Sequence, residues 1–164
     1  MTPGDLVFVH ANHLASKLIR FGQRLRFRGE RRRYAWPNHV AVVVGESGEI
    51  VEALTSGLAR GHVSKYARTP HVVFSSHVEP LDQREIRVFA ESVLKARETY
   101  GWATIASLAF TQLTGSKFVV GRVGTAICSG FAAECLTRAG EVFERPPAYN
   151  TPADLAEHFE VTGP

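Results

Sequence analysis

Cysteine is scarce in this chain, and carboxylates are nearly absent where basic residues crowd. The two cysteines, Cys128 and Cys135, lie seven residues apart in one helix-like stretch. Two helical turns separate them, too far for a bridge. A disulfide framework is therefore excluded, and a reducing compartment is the default. No apolar run is long enough to span a bilayer. The opening Met-Thr-Pro-Gly-Asp-Leu-Val-Phe-Val has neither the basic region nor the long apolar core of a secretory leader, so a cytoplasmic location is expected. No internal repeat, low-complexity tract or linker divides residues 1–164, which predicts a single domain. His10-Ala-Asn-His13 has metal-ligand spacing but no nearby cysteine or carboxylate, so neither a metal nor a cofactor is expected.

What is present is an ordinary globular composition, 45% hydrophobic and 21% charged, in a chain long enough to bury a sizeable core. The net charge of +3 hides an asymmetry. Lys17, Arg20, Arg24, Arg26, Arg28, Arg31, Arg32 and Arg33 face only Glu30 between positions 17 and 33, a local +7, so the remainder is net negative. Such a segment suits an anionic surface, whether phosphate, membrane headgroup or nucleic acid. Without an aromatic-interleaved ribbon or recognition-helix pattern, no specific nucleic acid is expected, and a solvated Arg-rich loop is the simpler reading.

In chain order, Leu6-Val7-Phe8-Val9 reads as a short strand. A helix starting near Asn12 or Ser16 would turn Leu14, Leu18, Ile19 and Leu25 inward, ahead of the Arg-rich loop. His39-Val-Ala-Val-Val-Val44 and Ile50-Val-Glu52-Ala-Leu54, joined by Gly45-Glu-Ser-Gly-Glu49, read as a hairpin. The first run is apolar on both faces and so belongs inside a sheet. Glu52 inside an apolar strand is costly unless paired. Gly61–Tyr66 and His71–Val78 continue as strand-like segments, with His62, His71 and His77 carrying no motif. Asp82 to Arg97 is helical, with Asp82 and Glu85 forming a capping box. Trp102 to Leu113 suggests an apolar helix, and Lys117–Val123 a strand or loop. Thr151-Pro152-Ala-Asp154 is a helix start, with Leu155 and Phe159 pinning that helix to the body.

Ile127, Phe131, Cys135, Leu136 and Ala139 make one buried helical stripe, ended by Gly140 as a left-handed cap and started near Gly124, with Thr125 or Ser129 able to cap the first turn. Cys135 then points into the core. Cys128 falls at the helix start, where unpaired N–H groups and the positive end of the dipole stabilise an anion and lower a thiol pKa.

Taken in order, Gly4-Asp-Leu-Val-Phe8, Asn38-His39-Val-Ala-Val-Val-Val-Gly45, Ile50-Val-Glu52-Ala53, Tyr100-Gly101, Cys128-Ser129 and Thr151-Pro152-Ala-Asp154-Leu155 resemble the circularly permuted branch of the NlpC-type papain-like cysteine peptidases, the YiiX-like group. The likeness runs from about Gly4 to Leu155. It implies an α+β fold in which a small antiparallel sheet or half-barrel packs on the helix carrying the nucleophile. It further implies Cys128 as nucleophile, His39 as general base and Glu52 as the residue orienting His39. The physical chemistry agrees, because a thiol needs a base that titrates near neutrality, and that base needs an orienting partner. The Cys128 backbone N–H suits an oxyanion, with Tyr34 or Tyr100 as companion and Ser129 beside it in the substrate site.

The register of the hairpin raises a difficulty. A turn centred on Ser47-Gly48 sets Glu52 opposite Val43, about 13 Å along the strand from His39. Twist, a bulge or another register must close that gap, and Thr55, Ser56 or a water are the other candidate orienters. The implied activity is hydrolysis of a peptide or peptidoglycan-like amide through a thioester. Two alternatives stand beside it: a lipid-directed acyltransferase or thioesterase of the same fold, and a non-catalytic module that holds an anionic partner through Lys17 to Arg33.

Overall fold

A computed structural model describes residues 1–12, 14–54, 56–97 and 125–164. The predictions for His13, Thr55, Tyr100, the Trp102–Leu113 helix and Lys117–Val123 fall outside the described residues.

The described residues form an α+β structure. Strands β1 (Leu6–Val9), β2 (His39–Val43), β3 (Glu49–Leu54), β4 (Gly57–His62) and β5 (His71–Phe74) make one antiparallel sheet in the order β4-β3-β2-β1-β5. The helices are α1 (Leu14–Arg26), α2 (Pro80–Arg97), α3 (Thr125–Arg138) and α4 (Pro152–His158). β4 and β5 are the sheet edges, so the described strands form an open sheet rather than a closed barrel. None of the described helices is long and apolar enough to cross a membrane.

β2 is central because its valines serve two cores. Val40 and Val42 join Leu6, Phe8 and Val51 beneath the helices, packed with Phe131, Ala132, Cys135 and Leu136 of α3. Ala41 and Val43 join Val7, Val9, Ile50 and Tyr66 on the other face. α3 packs on β2 and β3 and also touches α2, α4 and the short 3-10 turn Pro147–Tyr149. Gly140, with φ +83°, follows α3 in the left-handed conformation expected of a cap. Ser129 lies inside α3 rather than at its cap, and its hydroxyl donates to the Asn150 carbonyl at 2.6 Å. Thr151 caps α4 as its sequence predicts: its side chain accepts from the Asp154 N–H, and the Asp154 carboxylate accepts from the Thr151 N–H.

Three expectations change. The helix that follows β5 starts at Pro80, two residues ahead of Asp82, so Asp82 sits in its first turn and does not cap it. The Arg-rich segment is no loop. It runs through α1 to Arg26 and, after a short break, through a 3-10 turn at Gly29–Tyr34, held to α4 by Arg26–Asp154 and Arg31–Glu157 ion pairs. The inward face of α1 also differs in part: Ser16, Gln23 and the adjoining Phe27 are buried, Ile19 is half-buried and Leu25 is exposed, while the Leu14 and Leu18 side chains lie outside the described ones. Gln23 can be buried because both ends of its amide are used, Nε2 donating to the Pro37 carbonyl and Oε1 accepting from the Ala153 N–H.

The hairpin resolves the register difficulty. Its turn is Gly45–Gly48, closed by the Gly48 N–H donating to the Gly45 carbonyl at 3.2 Å. The centre is therefore Glu46-Ser47, one residue earlier than Ser47-Gly48. Moving a turn centre by one residue shifts the register by two, which keeps every side chain on its face. Glu52 consequently pairs with Ala41 rather than Val43. Gly48 makes this turn with φ +102°, and a Cβ there would lie 2.9 Å from Val63 Cγ1. Gly48→Ala is expected to cost about 1–2 kcal/mol from left-handed strain alone. A lowered urea midpoint at unchanged m-value would show it; an unchanged midpoint would mean the turn is not under this constraint.

Candidate functional site

His39 and Glu52 come together because they are diagonal neighbours on adjacent strands. Glu52 is opposite Ala41, and His39 lies two residues before Ala41 on the same face of β2. The His39 ring donates from Nε2 to Glu52 Oε2 at 2.9 Å. That leaves the other ring nitrogen for Cys128, with which His39 is hydrogen-bonded. The structure thus joins Cys128, His39 and Glu52 in one line, drawn from the first turn of α3, the start of β2 and the interior of β3.

The start of β2 is braced from the neighbouring segment. Asn38 makes two 2.8 Å hydrogen bonds with Ala11, accepting from its N–H and donating to its carbonyl. Val9 pairs with His39 across the ladder. His10 is engaged separately, donating from Nδ1 to the Trp36 carbonyl at 2.8 Å and receiving Arg20 at Nε2. Among the described residues no group of three or more His, Cys, Asp and Glu converges as a metal site would.

Glu52 is 1% exposed, and three side chains answer its charge. Besides His39, the Tyr66 hydroxyl donates to Oε2 at 2.5 Å, and the Lys65 ammonium pairs with Oε1. Both come from the 3-10 turn Val63–Tyr66 that follows β4. Sequence reading takes this stretch for a strand and passes over both residues; no motif marks them, and the one clue is that a buried carboxylate requires donors.

Burial alone would raise the Glu52 pKa, but the bonds from His39, Lys65 and Tyr66 bring it down to about 2. Burial would lower that of His39, yet the hydrogen bonds and charges of Cys128 and Glu52 lift it to about 9. Cys128 is buried, which disfavours a thiolate, but the bond and charge of His39 and the backbone N–H groups of Val40 and Ser129 hold its pKa below the ordinary thiol value. Burial pushes the Tyr66 phenol up, and the Glu52 carboxylate pushes it further, so it stays a donor. Cys135 is buried without such partners, and burial raises its pKa. The two cysteines of one helix are therefore driven in opposite directions.

The other predicted site residues lie as follows. Tyr34 is in the core beneath the helices, with Arg33 donating to its hydroxyl at 2.8 Å and stacked on its ring at 4.8 Å. Ser129 is buried against the 147–150 turn. Ser56 is exposed at the start of the β3–β4 return, while Glu52 itself occupies the orienting position. Tyr100 and Thr55 lie outside the described residues.

Comparison adds no relative. No family model matches the chain, and no curated protein is detectably similar to it. The geometry therefore carries the reading of this site by itself.

The charges make the site's pH dependence explicit. Ionised Glu52 contributes stability fully above its ordinary value of 4.5 and loses it as the pH falls toward about 2. Protonated His39 contributes fully below its ordinary 6.5 and loses that contribution as the pH rises through about 9. In Glu52→Gln the His39 ring loses its anion, so its titration midpoint by NMR should fall by about one pH unit or more. A midpoint unmoved from that of the parent would show that Glu52 does not set the His39 charge.

Proposed function

We propose that the protein is a cysteine-dependent hydrolase of an amide bond, acting through a thioester on Cys128. The observation that carries this reading is the hydrogen-bonded line Cys128–His39–Glu52, with the sulfur in the first turn of a helix and its pKa driven down. A sheet bearing the base and its orienting carboxylate, packed on the helix bearing the thiol, is what a permuted NlpC-type papain-like domain requires. We read the fold in that way, and peptide or peptidoglycan-like amides as the substrate class.

The steps follow from the charges. The Cys128 thiolate adds to the carbonyl carbon, and the oxygen becomes an oxyanion facing the Cys128 N–H and the positive end of α3. Collapse breaks the C–N bond while the His39 imidazolium gives its proton to the departing amine. The acyl group then remains on sulfur. Water attacks the thioester, neutral His39 takes its proton, and the carboxylic acid leaves with the thiolate–imidazolium pair restored. Glu52 stays ionised throughout and holds the ring by Nε2, as an orienting carboxylate does. Tyr66 and Lys65 act on Glu52 and so are positioning residues.

The test is the pH dependence of iodoacetamide alkylation, located by mass spectrometry, with Cys135 as the internal control. Cys128 should react well below an ordinary thiol pKa of about 8.5. In His39→Ala its profile should move to that of an ordinary thiol, and Cys135 should stay unlabelled in both. A simple acyl ester should leave an adduct on Cys128 that Cys128→Ala lacks, and turnover should fall about hundredfold or more in His39→Ala. A Cys128 that titrates like a free thiol in the folded protein would overturn the reading.

A further inference from the structure

Helix α1 turns two large apolar side chains to solvent. Its described inward positions are Ser16 and Gln23, followed by Phe27 just beyond its end, while Phe21 is 63% and Leu25 55% exposed. Among the described residues, neither core cluster includes these two large apolar side chains. Lys17, Phe21, Arg24 and Leu25 recur at i, i+4, i+7 and i+8, the spacing that gathers residues on one side of a helix. All four are exposed.

The charge on this side is of one sign. The thirteen residues of α1 include no Asp or Glu. Arg26 and Arg31 are already committed to Asp154 and Glu157, and Arg20 to His10. Lys17 and Arg24 stand beside the two apolar side chains, with Arg28 and Arg32 exposed just beyond the helix. Cations flanking exposed Phe and Leu on one helix face meet the requirements of an anionic bilayer interface: apolar groups enter the acyl boundary while the cations meet lipid headgroups. A nucleic acid would use the cations but offers no apolar phase to receive Leu25 and Phe21.

We infer that α1 docks the protein on anionic lipid membranes through Lys17, Phe21, Arg24 and Leu25. The helix lies in the interface and does not cross it. This surface is independent of Cys128, so it stands whether or not the amide hydrolase reading does.

The experiment is sedimentation of the full chain with vesicles of phosphatidylcholine alone or with added phosphatidylserine, at low and at physiological salt. Binding is expected with the anionic vesicles only, weakening as salt rises. Lys17→Gln with Arg24→Gln should weaken it by about fivefold per charge. Phe21→Ser with Leu25→Ser should weaken it at least as much at unchanged charge, and because both side chains are exposed these variants keep the parent's thermal midpoint. Arg68→Gln with Arg84→Gln, two exposed cations elsewhere, should change it by less than twofold. Failure to sediment with anionic vesicles would overturn the inference. So would binding indifferent to the Phe21 and Leu25 changes, or tighter binding to duplex DNA or RNA with that same indifference. Cys128→Ala must bind vesicles like the parent; loss of alkylation chemistry with intact binding separates the two readings.

Discussion

A carboxylate buried in the middle of a sheet is the constraint on which the site depends. Glu52 on β3 cannot stay ionised at 1% exposure unless donors reach it. They arrive from two places: His39 from the neighbouring strand, and Lys65 and Tyr66 from the turn beyond β4. Together they tie two separate pieces of chain to the same two oxygens. The 3-10 turn Val63–Tyr66 is thereby folded back over the sheet face on which Tyr66 packs with Val9, Ala41 and Ile50. A structural carboxylate would be satisfied by Lys65 and Tyr66. The third donor, His39, is the one that extends the network to Cys128.

Much of this frame is legible in the residues. The alternation and apolarity of β2 and β3 mark an interior hairpin. The stripe Phe131, Cys135, Leu136 with Gly140 marks the helix that packs on it. Thr151 marks the start of α4 outright, because a cap is local and needs no tertiary information, and the structure adds the reciprocal bond from Asp154. The pairing of His39 with Glu52 is less legible, since it hangs on the centre of a four-residue turn. Gly45 and Gly48 flank that turn, and its centre is Glu46-Ser47. The pattern Gly-Glu-Ser-Gly allows more than one centre, and the two centres place Glu52 two residues apart along β2.

What the residues conceal has one physical cause: polar groups satisfied by distant partners. Gln23 lies inside because a carbonyl at Pro37 and an N–H at Ala153 await it. Nothing near position 23 announces either partner, so hydrophobic periodicity passes over Gln23 and turns Leu25 inward instead. The Arg-rich stretch misleads similarly. Arg26 and Arg31 read as solvated charge until α4, far along the chain, supplies Asp154 and Glu157. Tyr66 and Lys65 become meaningful only after β4 has paired with β3 and brought their turn over Glu52.

The network alternates basic and acidic groups from solvent to sulfur. Lys65, 40% exposed, pairs with Glu52, whose pKa is held at about 2; His39 is lifted to about 9 by Cys128 and Glu52, and it holds the Cys128 thiol below its ordinary value. Every charge has an opposite neighbour, so each stabilises the ionised form of the next. Tyr66 is the neutral member, and its phenol, pushed up by burial and by Glu52, keeps donating without joining the titration. Proton movement is thereby confined to one place. Glu52 is held far below neutrality and Tyr66 far above it, so the only mobile proton in the line is the one shared by His39 and Cys128. For the hydrolase proposed above, this is the electrostatic condition for His39 to give its proton to a leaving group rather than pass it on to the carboxylate.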